Sequence, residues 1–205
     1  MTIERLWARF GALIYDPFLA LGERRGMAAH RRALLAPLRG RVLEVGAGTG
    51  LNLRHYPDAV DELVLTEPEP AFHPRLRHRA GRSATVVAAP AEALPFGDGS
   101  FDFVVSTLVL CTVADPAAAV RELRRVLRPG GRLVFIEHVR SDSPRLARWQ
   151  DRLARPWHAF AVGCRCNQPT LDLLASELRV GRVARTGWRG MPALVRPLAI
   201  GEASP

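Results

Sequence analysis

No lysine occurs anywhere in the 205 residues; all 29 basic side chains are arginine. Against 20 acidic residues they leave a formal charge of +9, a balance that can draw a protein to nucleic acid. That partner is not expected here. No basic run is interleaved with stacking aromatics, and the arginines are scattered along helix-compatible faces such as RELRRVLR (121–128), where a solvated face accounts for them. Arginine without lysine, with much alanine and glycine, reads as composition bias.

Cysteine is equally scarce. Cys111, Cys164 and Cys166 are the full set, an odd number with no signal peptide ahead of them, so a reduced, cytoplasmic setting is expected. The C-x-C pair in GCRCN supplies two ligands where a zinc site needs about four, and no histidine pair stands at zinc spacing. A redox pair would be spaced C-x-x-C. No metal is therefore expected. Apolar runs fall short of the ~20 residues of a membrane span. The longest, FGALIYDPFLALG (10–22), is flanked by Arg5, Arg9, Arg24 and Arg25 and interrupted by Asp16 and Pro17. It reads as a pair of core-covering helices, and peripheral contact with a membrane surface is not expected.

What the chain does contain is alternation. RVLEV (41–45), ELVLT (62–66), ATVVAA (84–89), FDFVVST (101–107) and RLVFIEHV (132–139) are short, nearly continuous apolar runs, the pattern of strands buried on both faces. Helix-compatible stretches at 50–56, 70–80 and 116–128 separate them, the last opening on Asp-Pro and closing on Arg-Pro-Gly-Gly. Strand and helix in alternation predict an α/β fold with a mostly parallel sheet. Two more helices (about 143–160 and 168–177) precede a strand pair, RVGRVART and ALVRPLAIGEA, joined closely enough for an antiparallel return. Pro197 sits awkwardly inside the second. No repeat or linker divides the chain.

The strongest local signal is VLEVGAGTGLN (42–52), a buried strand running into a turn with glycines at 46, 48 and 50. It differs from the pyrophosphate fingerprint G-x-G-x-x-G because position 51 is Leu. Glu44 beside the loop would repel a pyrophosphate and suits a ligand with a cationic head. Glu67 ends the next strand, 21 residues beyond Gly46, where a carboxylate can accept from both ribose hydroxyls. The loop after the third strand offers Ala91, Leu94 and Phe96 as a bed for adenine.

E-x-G-x-G-x-G, the acid ending strand two, AEALPF-DGSFDFVV and ELRRVLRPGGRLVFIEH closely resemble class I S-adenosylmethionine-dependent methyltransferases of the ubiquinone/menaquinone-methyltransferase type, over about residues 40–140. The resemblance implies a Rossmann-like, seven-stranded, mostly parallel sheet with helices on both faces, the last strand antiparallel, and an N-terminal helical cap. It implies one domain: cap 1–38, cofactor core 39–140, acceptor-site helices 141–178 and strand hairpin 179–205. It implies S-adenosylmethionine as cofactor, with S-adenosylhomocysteine as product. Glu44, Gly46, Ala47, Gly48, Gly50 and Asn52 would then line the methionine part. Glu67 and Pro68 would meet the ribose, Ala91 and Glu92 the adenine, and Thr107 and Leu108 would border the sulfonium. The family usually has Asp before the Ala-Glu pair; here Pro90 stands there, leaving a backbone-borne or weaker adenine grip.

A narrower resemblance covers more of the chain. STLVLCTVADP, RVLRPGGRLVFIEHV, RPWHAFAVGC and LVRP are similar to the alkyl-thiol methyltransferases, as are YDPF (15–18), GTG-x-N and the following YP (56–57). This implies a small-molecule acceptor, a thiol first, with a hydroxyl, amine or carbon of a metabolite or quinone as the alternative. A basic surface-binding protein with a degenerate cofactor fold is the third reading, opposed by the intact glycines and acids. His138 and His158 are the candidate catalytic groups. Tyr15 would close over the cofactor, while Asp16, Cys111, Trp157, Cys164 and Asn167 would wall the acceptor. Cys166 is read as incidental, and the assembly as monomer or homodimer.

Overall fold

The computed structural model describes residues 3–161 and 163–205, with side chains from residue 12 onward. Seven strands form one sheet: β1 Gly40–Val45, β2 Val60–Thr66, β3 Thr85–Val87, β4 Phe101–Thr107, β5 Leu127–His138, β6 Arg179–Gly187 and β7 Pro197–Ser204, in the order β3-β2-β1-β4-β5-β7-β6. The first five pair in parallel, and β7 runs antiparallel to both β5 and β6. The order reverses between β1 and β4, so the loops leaving these strands diverge and open a crevice at the sheet's carboxyl edge.

Six α-helices accompany the sheet: α1 Ile3–Gly22, α2 Ala28–Leu35, α3 His73–Ala80, α4 Pro116–Val126, α5 Pro144–Phe160 and α6 Thr170–Ala175. The amphipathic α4 begins where sequence chemistry places it. Asp115 caps it by accepting from Ala118 N at 3.0 Å, Pro116 occupies the first turn, and Ala119, Val120, Leu123 and Val126 are buried. They join Leu43, Val104, Phe101, Leu133 and Phe135 in the largest core. Full burial of side chains of this size contributes roughly 1.5–3 kcal/mol each.

Several expectations change. The stretch 50–56 is no helix; only a 3-10 turn, Leu53–His55, follows the glycine loop, because Gly50 at φ 83° and a β-extended Tyr56 bracket it. The Asp16–Pro17 step does not break the N-terminal segment, since α1 runs through Pro17. The break falls later, at Gly26 with φ 135°. This helix buries Ala12 and Leu19 but exposes Leu13, Ile14, Phe18 and Leu21, so it covers the core with one stripe only. The flanking Arg5 and Arg9 lie outside the described side chains. Pro197 turns out to open β7, where no ladder bond is lost. Among the described residues, no helix is long and apolar enough to cross a membrane.

Candidate active site

The turn after β1 is built on left-handed glycines: Gly46 at φ 57°, Gly48 at 56° and Gly50 at 83°. A Cβ at Gly46 would come within 2.7 Å of Val109 Cγ2, whereas at Gly48 the nearest atom is Tyr15 Cε1 at 3.9 Å. One glycine is needed for packing against the turn after β4, the other for exposing backbone toward the crevice. Glu67, at the end of β2, accepts from Gly48 N through Oε2 and from Glu69 N through Oε1, both at 2.8 Å. Each oxygen keeps acceptor capacity. Burial raises the Glu67 carboxyl above its usual value, against the two amides that lower it. Pro68 beside it is exposed.

Beneath the loop lies a buried polar chain that links four elements. Glu44 accepts from Tyr56 OH at 2.6 Å and from Asn52 Nδ2 at 3.0 Å. Asn52 Nδ2 also donates to Thr107 Oγ1 at 3.1 Å, and its Oδ1 accepts from Arg31 Nη1 at 2.8 Å. Arg31 is in turn paired with Glu23 at 3.0 Å. Burial pushes the Glu44 carboxyl up to about 7, opposed by Tyr56, Arg31 and Asn52. Glu44 therefore acts one layer below the loop, holding Asn52 and Tyr56. Arg31 and Glu23 carried no motif, and only their burial reveals them.

The turn after β4 is held from below as well. Leu108 has φ 62°, the left-handed region, alone among the described non-glycine residues, at a cost of roughly 1–2 kcal/mol. Its amide donates to Ile136 O at 2.8 Å. Glu137 fixes the same turn by accepting from Ser106 Oγ at 2.7 Å and Val109 N at 3.1 Å. Burial pushes the Glu137 carboxyl up to about 7, and its Oε2 has no partner. Sequence reading passed over Glu137, although an acid inside an otherwise apolar strand was the available signal.

Tyr15 and Asp16 on α1 cover the loop. Asp16 accepts from Thr49 Oγ1 at 2.6 Å and pairs with Arg79 at 2.7 Å and Arg75 at 3.3 Å. These bonds occupy it as a latch, so it does not stand free toward an acceptor. Tyr15 packs edge-on to Phe72, ring centroids 5.3 Å apart, and burial raises its hydroxyl. Two cavities lie elsewhere: one of 230 Å³ is lined by Val139, Arg140, Ser141 and neighbours, and one of 520 Å³ by Arg25, Arg189, Gly190 and Arg196. Neither includes the glycine loop, over which α1 places Tyr15 and Asp16.

The loop after β3 departs from expectation. Ala91 and Leu94 are buried in the main core and Phe96 packs edge-on to Phe101, centroids 5.1 Å apart, so the apolar bed turns inward. Glu92 Oε1 accepts from Ala114 N at 2.8 Å and Asp115 N at 3.3 Å, fixing the start of α4. Arg125, counted among solvated arginines, instead donates to Phe96 O at 2.8 Å and Leu94 O at 3.1 Å and clamps this loop.

On the far side, His138 is buried and stacks on Trp188, centroids 5.6 Å apart, with Nδ1 unpartnered. Burial pushes the ring down to about 4, against the carbonyls of Pro197 and Val195; it is a neutral imidazole at pH 7. Cys111 and Cys164 lie with Sγ atoms 3.7 Å apart. The hydrogen bond between them lowers Cys164 and raises Cys111, and burial raises Cys111 further. Cys166 is buried and contacts Gln150 O at 3.6 Å. Trp157 is half-buried, His158 is exposed, and Asn167 Nδ2 donates to Asp151 at 3.1 Å. The structure thus brings His138, Cys111 and Cys164 together and leaves His158 and Asn167 outside that cluster.

A glycine loop at the topological switch point, an acid following β2 and the antiparallel β7 define a class: α/β proteins built to bind a nucleoside-bearing cofactor. Residues 43–135 match the family described as "Methyltransferase domain". Thiol S-methyltransferase TMT1A of Homo sapiens is 34% identical over 197 residues, covering 86% of this chain and 79% of that protein. Thiol S-methyltransferase TMT1B of Homo sapiens is 36% identical, with 68% of this chain covered and only 63% of that protein's length spanned. A demethylmenaquinone methyltransferase of Roseiflexus castenholzii is 37% identical over 70% of this chain and 63% of its own length. The N-methyltransferase NodS of Bradyrhizobium japonicum, solved with S-adenosylhomocysteine, shares the fold at a TM-score of 0.66 and 20% identity, over 90% of this chain and 88% of that one. The chain belongs to the class I S-adenosylmethionine-dependent methyltransferases.

Proposed function

We propose that this enzyme methylates the sulfur of a small apolar thiol. The observation that carries the reading is the wall beyond Leu108, where Cys111, Cys164, Trp188 and Leu198 pack together and the His138 ring, kept neutral by burial, stacks on Trp188 and offers no cationic or strongly basic group. A thiol, with a reference pKa near ~8.5, ionises with little help, whereas a hydroxyl or carbon acceptor requires a placed base. The likeness to the thiol S-methyltransferases over most of the chain supports it.

The residues present fit the cofactor. Gly48 leaves open backbone up to the Tyr15 ring, and Glu67 retains acceptor capacity beside it. Bound there, S-adenosylmethionine supplies a methyl group on a sulfonium. The amides of the 46–50 loop would hold its methionine part, with Glu44 and Asn52 fixing the loop from below. Glu67 and Pro68 would position the ribose, and Ala91 and the backbone near Glu92 the adenine. Thr107 and the left-handed Leu108 would border the reacting centre. Tyr15 would seal it from water, so that alignment in a dry site contributes most of the acceleration. Entry then requires α1 to release the Asp16 latch.

The second reading, methylation of a quinone-ring carbon, rests on the likeness to the demethylmenaquinone methyltransferase. Calorimetry with S-adenosylmethionine, followed by turnover on alkyl thiols, phenols, amines and quinols, separates the two. Thiol methylation with little quinol turnover is expected; turnover on quinols alone would replace the first reading with the second.

A further inference from the structure

Cys111 ends the turn after β4, His138 ends β5, and Cys164 follows α5, so three distant segments converge on one buried point. Among the described residues they form a group whose ligand atoms all lie within 4.8 Å of one another. The two sulfurs are 3.7 Å apart. Two thiolates bound to a tetrahedral zinc at about 2.3 Å stand roughly 3.8 Å from each other, so the pair already has the spacing of a coordination edge. A disulfide would need about 2.05 Å. His138 is buried with Nδ1 unpartnered, a costly state that coordination of that nitrogen would relieve.

We propose that Cys111, His138 and Cys164 bind one zinc-class divalent cation, whose open fourth position takes the sulfur of a thiol substrate. Two sulfurs and one nitrogen are a soft donor set suited to zinc, and three protein ligands with one free position mark a site that handles substrate rather than a closed structural one. The cluster adjoins the reacting centre, since Cys111 Sγ lies 3.7 Å from Leu108 O. The entry of substrate sulfur rests on the thiol reading above; the metal site itself does not. In the step, the acceptor thiol gives up its proton to solvent before the site closes and coordinates as thiolate. Its sulfur lone pair forms the new bond to the methyl carbon as the bond to the sulfonium breaks, that electron pair staying on the cofactor sulfur. The neutral thioether is a weaker ligand and leaves.

The test uses the full chain, reduced, stripped with a chelator and titrated anaerobically with Co²⁺. One equivalent should produce a thiolate-to-cobalt charge-transfer band with the visible bands of four-coordinate cobalt, bleached by Zn²⁺. Cys111→Ser, Cys164→Ser and His138→Gln should each weaken binding by at least about a hundredfold, since each leaves only two protein ligands. Cys166→Ser, which lies outside the cluster, should keep it. Adding a small alkyl thiol should strengthen the charge-transfer band as a third sulfur enters. Absence of the band in reduced protein, or a Cys111–Cys164 disulfide in its place, overturns the metal site. A band indifferent to thiol overturns the open position. Calorimetry with S-adenosylmethionine on the same sample keeps the readings apart: cofactor binding without cobalt defeats only the metal, and cobalt without cofactor binding defeats only the methyl-transfer assignment.

Discussion

Arg31 donates through Nη1 to Asn52 Oδ1 at 2.8 Å, which orients the Asn52 amide nitrogen toward Glu44 and Thr107. A residue of α2 thereby sets the geometry beneath the glycine loop through side chains, its hydrogen bonds going to Asn52 and Glu23. Its remaining donors hold Glu23, with both side chains buried.

Arg31→Ala should destabilise the protein by roughly 3–5 kcal/mol, because Glu23 is left as an uncompensated buried charge. Adding Glu23→Gln should recover a large part of that loss. Urea denaturation of the two single variants and the double variant checks it; strict additivity would show that the pair is not coupled.

Glycine substitutions in the loop should rank by space as well as backbone. Gly46→Ala meets Val109 at 2.7 Å, while Gly48→Ala meets nothing closer than 3.9 Å. Both carry the left-handed penalty of roughly 1–2 kcal/mol, so Gly46→Ala should melt lower. Gly48→Ala should lose cofactor affinity out of proportion to stability. Equal melting shifts would refute the packing argument.

Glu67→Ala should weaken S-adenosylmethionine binding by about tenfold or more, since it removes the acceptor proposed for the ribose and frees Gly48 N from its partner. Calorimetry measures it. Unchanged affinity would mean that the ribose is held elsewhere.

Stability should fall as pH rises from about 4.5 to 7. Glu137 and Glu44 are raised to about 7 by burial, so the native state binds protons that the unfolded chain has released, and stability present below the unfolded value is lost through the folded one. His138, lowered to about 4, acts oppositely: its contribution is present above about 6.5 and is lost as pH falls toward 4. Glu137→Gln should flatten the decline by an amount on the order of a few kcal/mol. An unaltered pH profile in denaturant titrations would exclude Glu137 as its source.

Asp16→Asn should weaken the Thr49, Arg75 and Arg79 latch. Partly exposed ion pairs of this kind contribute only about 0–1 kcal/mol each, so melting should change little while cofactor association and release both quicken. Stopped-flow fluorescence reads both rates, and rates equal to wild type would show that α1 is not the gate.

Local chemistry was enough to locate the parts that depend on neighbours in sequence. The strand runs, Asp115 and Pro116 at the head of α4, the glycine turn and the acid ending β2 each follow from period, cap or φ, which act over a few residues. The antiparallel return at the C-terminus was legible for the same reason. Misreadings arose where tertiary contacts prevail: 50–56 gave up helix to the Gly50 turn, α1 passed through Pro17, and Glu92 and Arg125 were drawn to backbone groups of other segments.

The amino-acid order thus determined the class of sheet and the place of its glycine loop, because hydrophobic period and glycine conformation are properties of short stretches. Only the folded chain decided which distant side chains share a site. Cys164, paired in sequence with Cys166, meets Cys111 and His138 instead. The C-x-C spacing said nothing of this, since side-chain convergence depends on where β4, β5 and the turn after α5 end in space.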